Sequence, residues 1–277
     1  MQYIKRAIEE TVLHSNKTFK SILVTGARQT GKTELLKTLF PDKKYVPIDD
    51  PFIEDQANNN PNMFMTLNPP PVIFDEVQCC PEALTSLKYF CEDANEYHVM
   101  ATGSLLGVSV NRGENSFPVG KVQFMNMYPM DFEEYLLARG EEFLIRKIRE
   151  CFKSALPMED ALHEKALSLY REYMFIGGMP AVVSDYIKNG NAQLASILQS
   201  DILEAYLDDM GKYNKKSEVA KTRLVYRNIS TQLSKENRKF QYRYIKSGGR
   251  ASEFEDAIEW VCLAGMARRV FRLEQEG

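Results

Sequence analysis

Residues 26–33 read Gly-Ala-Arg-Gln-Thr-Gly-Lys-Thr, and each type has a use if the segment faces an anion. Glycines let the backbone curl until consecutive N–H groups converge, a geometry that holds phosphate oxygens. A helix beginning near Lys32 adds the positive end of its dipole at the same point. Lys32 then reaches the β- and γ-phosphates of a nucleoside triphosphate, and the Thr33 hydroxyl ligates Mg2+. The spacing G-x-x-x-x-G-K-[ST] thus nominates Gly26, Ala27, Arg28, Gln29, Thr30, Gly31, Lys32 and Thr33 as nucleotide-binding residues. The competing reading is a plain glycine turn with an exposed lysine. The apolar run before the motif and the helical spacing after it disfavour that reading.

About 40 residues on, Val72-Ile73-Phe74-Asp75-Glu76 ends a buried strand pattern in two carboxylates. Asp75 is placed to hold a Mg2+-bound water, which makes Thr33 and Asp75 the metal pair. Glu76 is placed to take a proton from an attacking water. A further strand pattern ends in Thr102-Gly103-Ser104, where a small polar side chain can contact the γ-phosphate or orient the water. Ser104 is the first candidate for that role and Thr102 the second. Lys32, Glu76 and Ser104 form the expected catalytic set. Either Arg112 or Lys121 is a candidate for the cation that completes such a site across a subunit interface.

These residues need a scaffold, and the hydrophobic pattern supplies one. Ser21–Thr25 is a short apolar run, and Thr30–Phe40 has helical spacing through Leu35, Leu36 and Leu39 until Pro41. Tyr45–Ile48, Val72–Phe74, Tyr97–Thr102 and Val122–Tyr128 read as further strands, with a helix over Pro81–Ala94. Residues 55–71, rich in Asn and Pro, read as a loop by composition. Strands alternating with helices imply an α/β fold whose parallel sheet is covered on both faces. After Tyr128 the strands stop. Asp131 with Glu134 has the form of a helix N-cap, and helical sequence runs to about residue 209, interrupted mainly by Gly177-Gly178-Met179-Pro180. Composition shifts again at 211, giving three expected units at 1–130, 131–210 and 211–277.

The order of phosphate loop, Asp-Glu strand end, polar strand end and helical region resembles that of AAA+ P-loop ATPases. Closer still is a bacterial and archaeal AAA+ family, similar through GARQTGKT (26–33), VIFDEVQ (72–78), ATGS (101–104), YMFIGGMP (173–180), ISTQLSKENRKFQY (229–242) and AIEWVCLAGMARRV (257–270). The resemblance implies a five-stranded sheet in the order 5-1-4-3-2, a helical lid at 131–210 whose Gly-Gly-Met-Pro segment sits near the nucleotide, and a winged-helix-like domain from 211. It also implies ATP and Mg2+ as cofactors, and a nucleotide-driven conformational switch. Family members usually continue into a nuclease-like domain past the point reached here at Gly277. They commonly carry Gly-Arg where Gly120-Lys121 stands, and lysine does not reproduce a bidentate arginine.

Composition narrows the alternatives. The 277 residues are 44% hydrophobic and 26% charged, which argues against disorder and coiled coil. No apolar run has the length a membrane helix needs, and five cysteines without regular spacing suit a reduced compartment, so a cytoplasmic location is expected. The formal charge of −3 conceals a segregation: residues 211–250 carry twelve basic side chains against Glu218 and Glu236. With Tyr213, Tyr226, Phe240, Tyr242 and Tyr244 interleaved, this belt offers phosphate contacts and stacking faces for DNA. Against that stands the following helix, whose Glu253, Glu255, Asp256 and Glu259 repel a phosphate backbone. Phe254, Ile258 and Val261 mark its core face. The favoured reading is that the belt neutralises the acidic remainder within the chain or on a neighbouring subunit. An ATP-gated DNA-binding protein is the alternative function, and a P-loop kinase for a small molecule a weaker third. ATP or ADP and a protein partner or second copy are the expected partners.

Overall fold

The structure, a computed structural model, describes residues 3–18, 21–69, 71–80, 99–104, 122–212, 216–236 and 239–270. Its centre is the apolar run after α1 (Glu9–Thr18), which forms strand β1 (Ser21–Gly26) with all six residues buried. The chain continues through α2 (Lys32–Leu39), β2 (Lys44–Pro47), α3 (Pro51–Asn59), α4 (Pro61–Leu67), β3 (Val72–Asp75), β4 (Val99–Ser104) and β5 (Val122–Met127). The five strands pair in the order β2-β3-β4-β1-β5, all parallel, which is the expected 5-1-4-3-2 order. Alternating side chains feed two cores. Leu23, Phe74 and Ala101 pack on one face with Ala57 and Phe64 of α3 and α4. Ile22, Val24, Ile73 and Met100 pack on the other with Val12 of α1 and Leu35 and Leu36 of α2. Register then sets the site: Gly26 lies opposite both Ser104 and Met127, and Phe74 opposite Ala101. The carboxyl ends of β1, β3 and β4 therefore share one edge.

Residues 55–71 are not a loop. Most of the segment is helical: Pro61 opens a helix instead of breaking one, and Asn58 and Asn59 are carried in the last turn of α3. The Asp50 carboxylate caps α3 by accepting the N–H groups of Phe52 and Ile53, at 2.9 and 3.4 Å, with Pro51 in the first turn. The Asn60 side chain accepts the Met63 N–H at 3.1 Å just where Pro61 opens α4. The helix expected over Pro81–Ala94 lies outside the described residues.

Beyond β5, Asp131 and Glu134 form a reciprocal capping box at the start of α5 (Phe132–Ala138). Helices α6 (Glu142–Ser154), α7 (Asp160–Ile176), α8 (Pro180–Asn189), α9 (Ala192–Lys212), α10 (Lys216–Leu233) and α11 (Ala251–Leu263) follow. Gly178, between α7 and α8, receives the Met130 N–H on its carbonyl at 2.7 Å. A Cβ there would stand 2.0 Å from the Met130 carbonyl oxygen, so only glycine permits the approach. One core joins Met130, Tyr135, Ile176, Val182 and Tyr206 to Val225, Phe254, Ala257 and Val261. The boundary expected at 210/211 falls within α9, and the described residues from 211 onward contribute helices and no strand.

Candidate functional site

The phosphate loop joins β1 to α2 and is held in a closed shape by its own side chains. Gly26 lies so close to β5 that a Cβ would meet the Met127 carbonyl oxygen at 2.1 Å. Lys32 is buried, and its ammonium donates to the carbonyls of Gly26 and Ala27 at 3.2 and 2.9 Å. The Thr30 hydroxyl donates to the Ala27 carbonyl at 2.9 Å. Gly31 is the N-cap of α2 and, having no side chain, makes no cap hydrogen bond of its own to the first N–H groups of that helix.

At the end of β3 the buried Asp75 carboxylate gathers three hydroxyls. Thr33 donates to it at 2.9 to 3.0 Å, Tyr45 of β2 at 2.5 Å, and Thr102 of β4 also donates. Burial, then the bond to Asp75, pushes the Tyr45 phenol above its ordinary range. Thr33 and Asp75 stand 42 residues apart in sequence and in direct contact in space. A hydroxyl and a carboxylate are hard oxygen donors of the kind Mg2+ takes, so this pair fits the ion.

Glu76 adopts φ +55°, uncommon for a residue with a side chain. Its N–H donates to the Thr102 hydroxyl at 3.3 Å, and its carboxylate accepts the side-chain amide of Gln78. The Gln78 amide oxygen in turn accepts the Ser104 N–H at 3.1 Å. The structure thus brings together Gly26 to Thr33, Asp75, Glu76, Thr102 and Ser104. It places Thr102 directly on Asp75 and links Ser104 to Glu76 through Gln78. Arg112 and Lys121 lie outside the described residues.

Three further side chains grip this site from distant parts of the chain. Arg6, 5% exposed, donates to the Thr30 carbonyl at 2.7 Å, to the Tyr128 carbonyl at 2.7 Å and to the Glu134 carboxylate at 2.9 Å. Tyr206 of α9 donates to the Arg28 carbonyl at 2.7 Å. Tyr45 is the third, described above. None belongs to a spaced motif, and their partners lie 24 to 178 residues away, so no local pattern announces them. Beside the loop opens a cavity of about 360 Å³ lined by Tyr3, Ile4, Arg6, Gly31, Glu34, Met127 and Pro180. Pro180 brings the Gly-Gly-Met-Pro segment to the rim of this cavity.

In the basic belt, Lys221 pairs with Glu218 at 2.9 Å, Arg223 with Asp208 at 3.1 Å, and Lys246 with Glu253 of α11 at 2.6 Å. Lys235 sits 3.6 Å from the Tyr244 ring centroid. Among the described residues no helix is long and apolar enough to cross a membrane.

Residues 18–136 match the family of an AAA domain, and residues 167–277 match a domain of unknown function, DUF8612. No curated protein matches the chain. Among solved structures, the Walker-type ATPase PABY2304 of Pyrococcus abyssi is similar with a TM-score of 0.54 at 16% identity, over 95% of this chain and 90% of that one. The Signal Transduction ATPase with Numerous Domains (STAND) protein PH0952 from Pyrococcus horikoshii, which has a tetratricopeptide repeat sensor, aligns with a TM-score of 0.45 at 14% identity. That alignment spans 98% of this chain and 43% of that one. Residues 18–136 thus carry an AAA domain, and both the parallel sheet and the phosphate loop lie within that match.

Proposed function

We propose that this chain binds ATP with Mg2+ at residues 26–33, hydrolyses it, and uses the nucleotide state to reposition its helical regions. The observation that carries the reading is the contact of Thr33 with Asp75 at the shared edge of β1 and β3. It joins the expected metal pair at the mouth of the phosphate loop.

Bound there, Mg-ATP supplies the phosphoanhydride to be cleaved and the charge that polarises it. Backbone N–H groups of the loop and the N-terminus of α2 hold the phosphates, and Lys32 turns from the Gly26 and Ala27 carbonyls toward them. Thr33 and Asp75 hold the metal side. Glu76 takes the proton of a water whose oxygen bonds to the γ-phosphorus as the bridging bond to ADP breaks. Thr102 sets the orientation of Asp75, and Ser104 marks the far end of the same strand edge. The nucleoside occupies the cavity between Arg6, Gly31 and Pro180.

Residues 131–210 act as the lid in this reading, and 211–277 as a winged-helix-like output supported by the packed pair α10 and α11. Arg6 and Tyr206 are the levers, since each ties a phosphate-loop carbonyl to another part of the chain. The ion pairs of Lys221, Arg223 and Lys246 favour charge neutralisation over DNA as the use of the basic belt. Phosphate release from Mg-ATP, measured across a hundred-fold range of protein concentration, tests the proposal. Turnover abolished by Lys32→Ala supports it, and turnover unchanged by that substitution contradicts it.

A further inference from the structure

We propose that Gln78 is a positioning residue for ATP cleavage: it holds the Glu76 carboxylate by one oxygen and fixes that hold to the end of β4. The inference rests on the reading of Glu76 as general base. Gln78 is 5% exposed on a single 3-10 turn, Val77–Cys79, whose first residue is buried in the core.

The orientation of its amide is determined by chemistry. Its Oε1 accepts the Ser104 N–H, so the NH2 end must be the one that faces Glu76. The flipped amide would set a donor against the Ser104 N–H and a carbonyl oxygen against a carboxylate. Glu76 is tied to β4 a second time, through its own N–H on Thr102. Among the described residues the other oxygen of its carboxylate accepts no hydrogen bond. A carboxylate pinned at one oxygen and free at the other is what a general base requires, since one orientation must persist while a proton is accepted. Gln78 thereby plays the third group that orients a base, and it reports to Glu76 where the end of β4 stands.

Two variants of the full chain separate this role from a structural one. Gln78→Met keeps the length of the side chain and loses both hydrogen bonds. Gln78→Glu keeps an acceptor for Ser104 and loses the donor to Glu76. Losing a hydrogen bond to a charged group predicts single-turnover ATP cleavage slowed roughly 10-fold or more in each variant. ATP affinity, read with a fluorescent analogue, stays within about twofold of wild type, because the hydrogen bond acts on the base and not on bound nucleotide. In a Glu76→Gln background, Gln78→Met leaves the residual rate unchanged. Cleavage by Gln78→Met at or above the wild-type rate overturns the proposal, as does an equal loss in both backgrounds. If Gln78→Met does not fold, Gln78→Glu carries the same test. Wild-type cleavage by Glu76→Gln alone removes the base reading itself. Loss in Glu76→Gln with none in the Gln78 variants removes only the role of Gln78.

Discussion

Tyr206 donates its hydroxyl to the Arg28 carbonyl at 2.7 Å, so helix α9 holds the phosphate loop from behind across 178 residues of chain. Ala27 extends the hold by packing into the same core as Tyr206 and Ile202. Any rearrangement of the loop around phosphate must therefore be felt by α9. Tyr206→Phe keeps the ring and deletes the bond, and is expected to lower unfolding free energy by about 1 kcal/mol in urea titrations. It should also reduce the rise in melting temperature on adding Mg-ATP, because the helix no longer follows the loop.

Arg6 and Glu134 make a buried ion pair at 2.9 Å, with side chains 6% and 9% exposed. The Glu134 carboxylate also accepts the Ala7 and Asp131 N–H groups, at 2.7 and 2.9 Å, so it is well solvated by protein only while Arg6 is present. Arg6→Ala leaves a buried carboxylate without its cation and is expected to cost about 3–5 kcal/mol in chemical denaturation. Arg6→Met combined with Glu134→Gln should cost less than Arg6→Ala alone, since no uncompensated charge remains.

Tyr45 gives the protein an alkaline limit. Its phenol is raised above the ordinary value of 10.0, by burial first and then by Asp75, so the folded state keeps a proton that the unfolded chain releases. The stability this contributes is fully present below about pH 10 and is lost as pH rises through the raised value. Tyr135, beside Glu172, adds to the same limb. Urea midpoints should therefore fall steeply above about pH 10, and less steeply in Tyr45→Phe, which has no proton to lose. An identical decline in the variant would remove Tyr45 from the account.

Much of the candidate site's scaffold was legible in the residues alone. Phosphate-loop glycines, Lys32, Thr33 and the Asp75-Glu76 strand end follow a fixed spacing because phosphate geometry is fixed, and the resemblance carried the strand order. Phe254 and Val261 are buried as their helical spacing implied. Misreading of 55–71 came from treating Pro and Asn as breakers, when Pro51, Asn60 and Pro61 serve as helix starts. Arg6, Tyr45 and Tyr206 escaped notice for another reason: each acts on a partner that only the fold brings near, and no local pattern encodes such a pairing. Gln78 stood within the quoted stretch VIFDEVQ, but its tie to Ser104 of β4 is made only by the fold.

Gly178 carries a steric prediction. Its Cα faces the Met130 carbonyl, and Gly178→Ala would drive a methyl to 2.0 Å from that oxygen. Separation of the Gly-Gly-Met-Pro segment from the end of β5 should follow, with a loss of about 3 kcal/mol and a weakened hold on nucleotide beside Pro180. A melting temperature and ATP affinity equal to wild type would contradict the close approach.

The most direct test mixes stoichiometric Mg-ATP with the wild-type chain, Lys32→Ala and Glu76→Gln, and follows bound and cleaved nucleotide over time. Wild type should yield ADP and phosphate, and Lys32→Ala should retain no nucleotide. Glu76→Gln should hold ATP intact, with cleavage slowed about 100-fold or more. Cleavage by Glu76→Gln at the wild-type rate, or equal binding by Lys32→Ala, would contradict the proposed function.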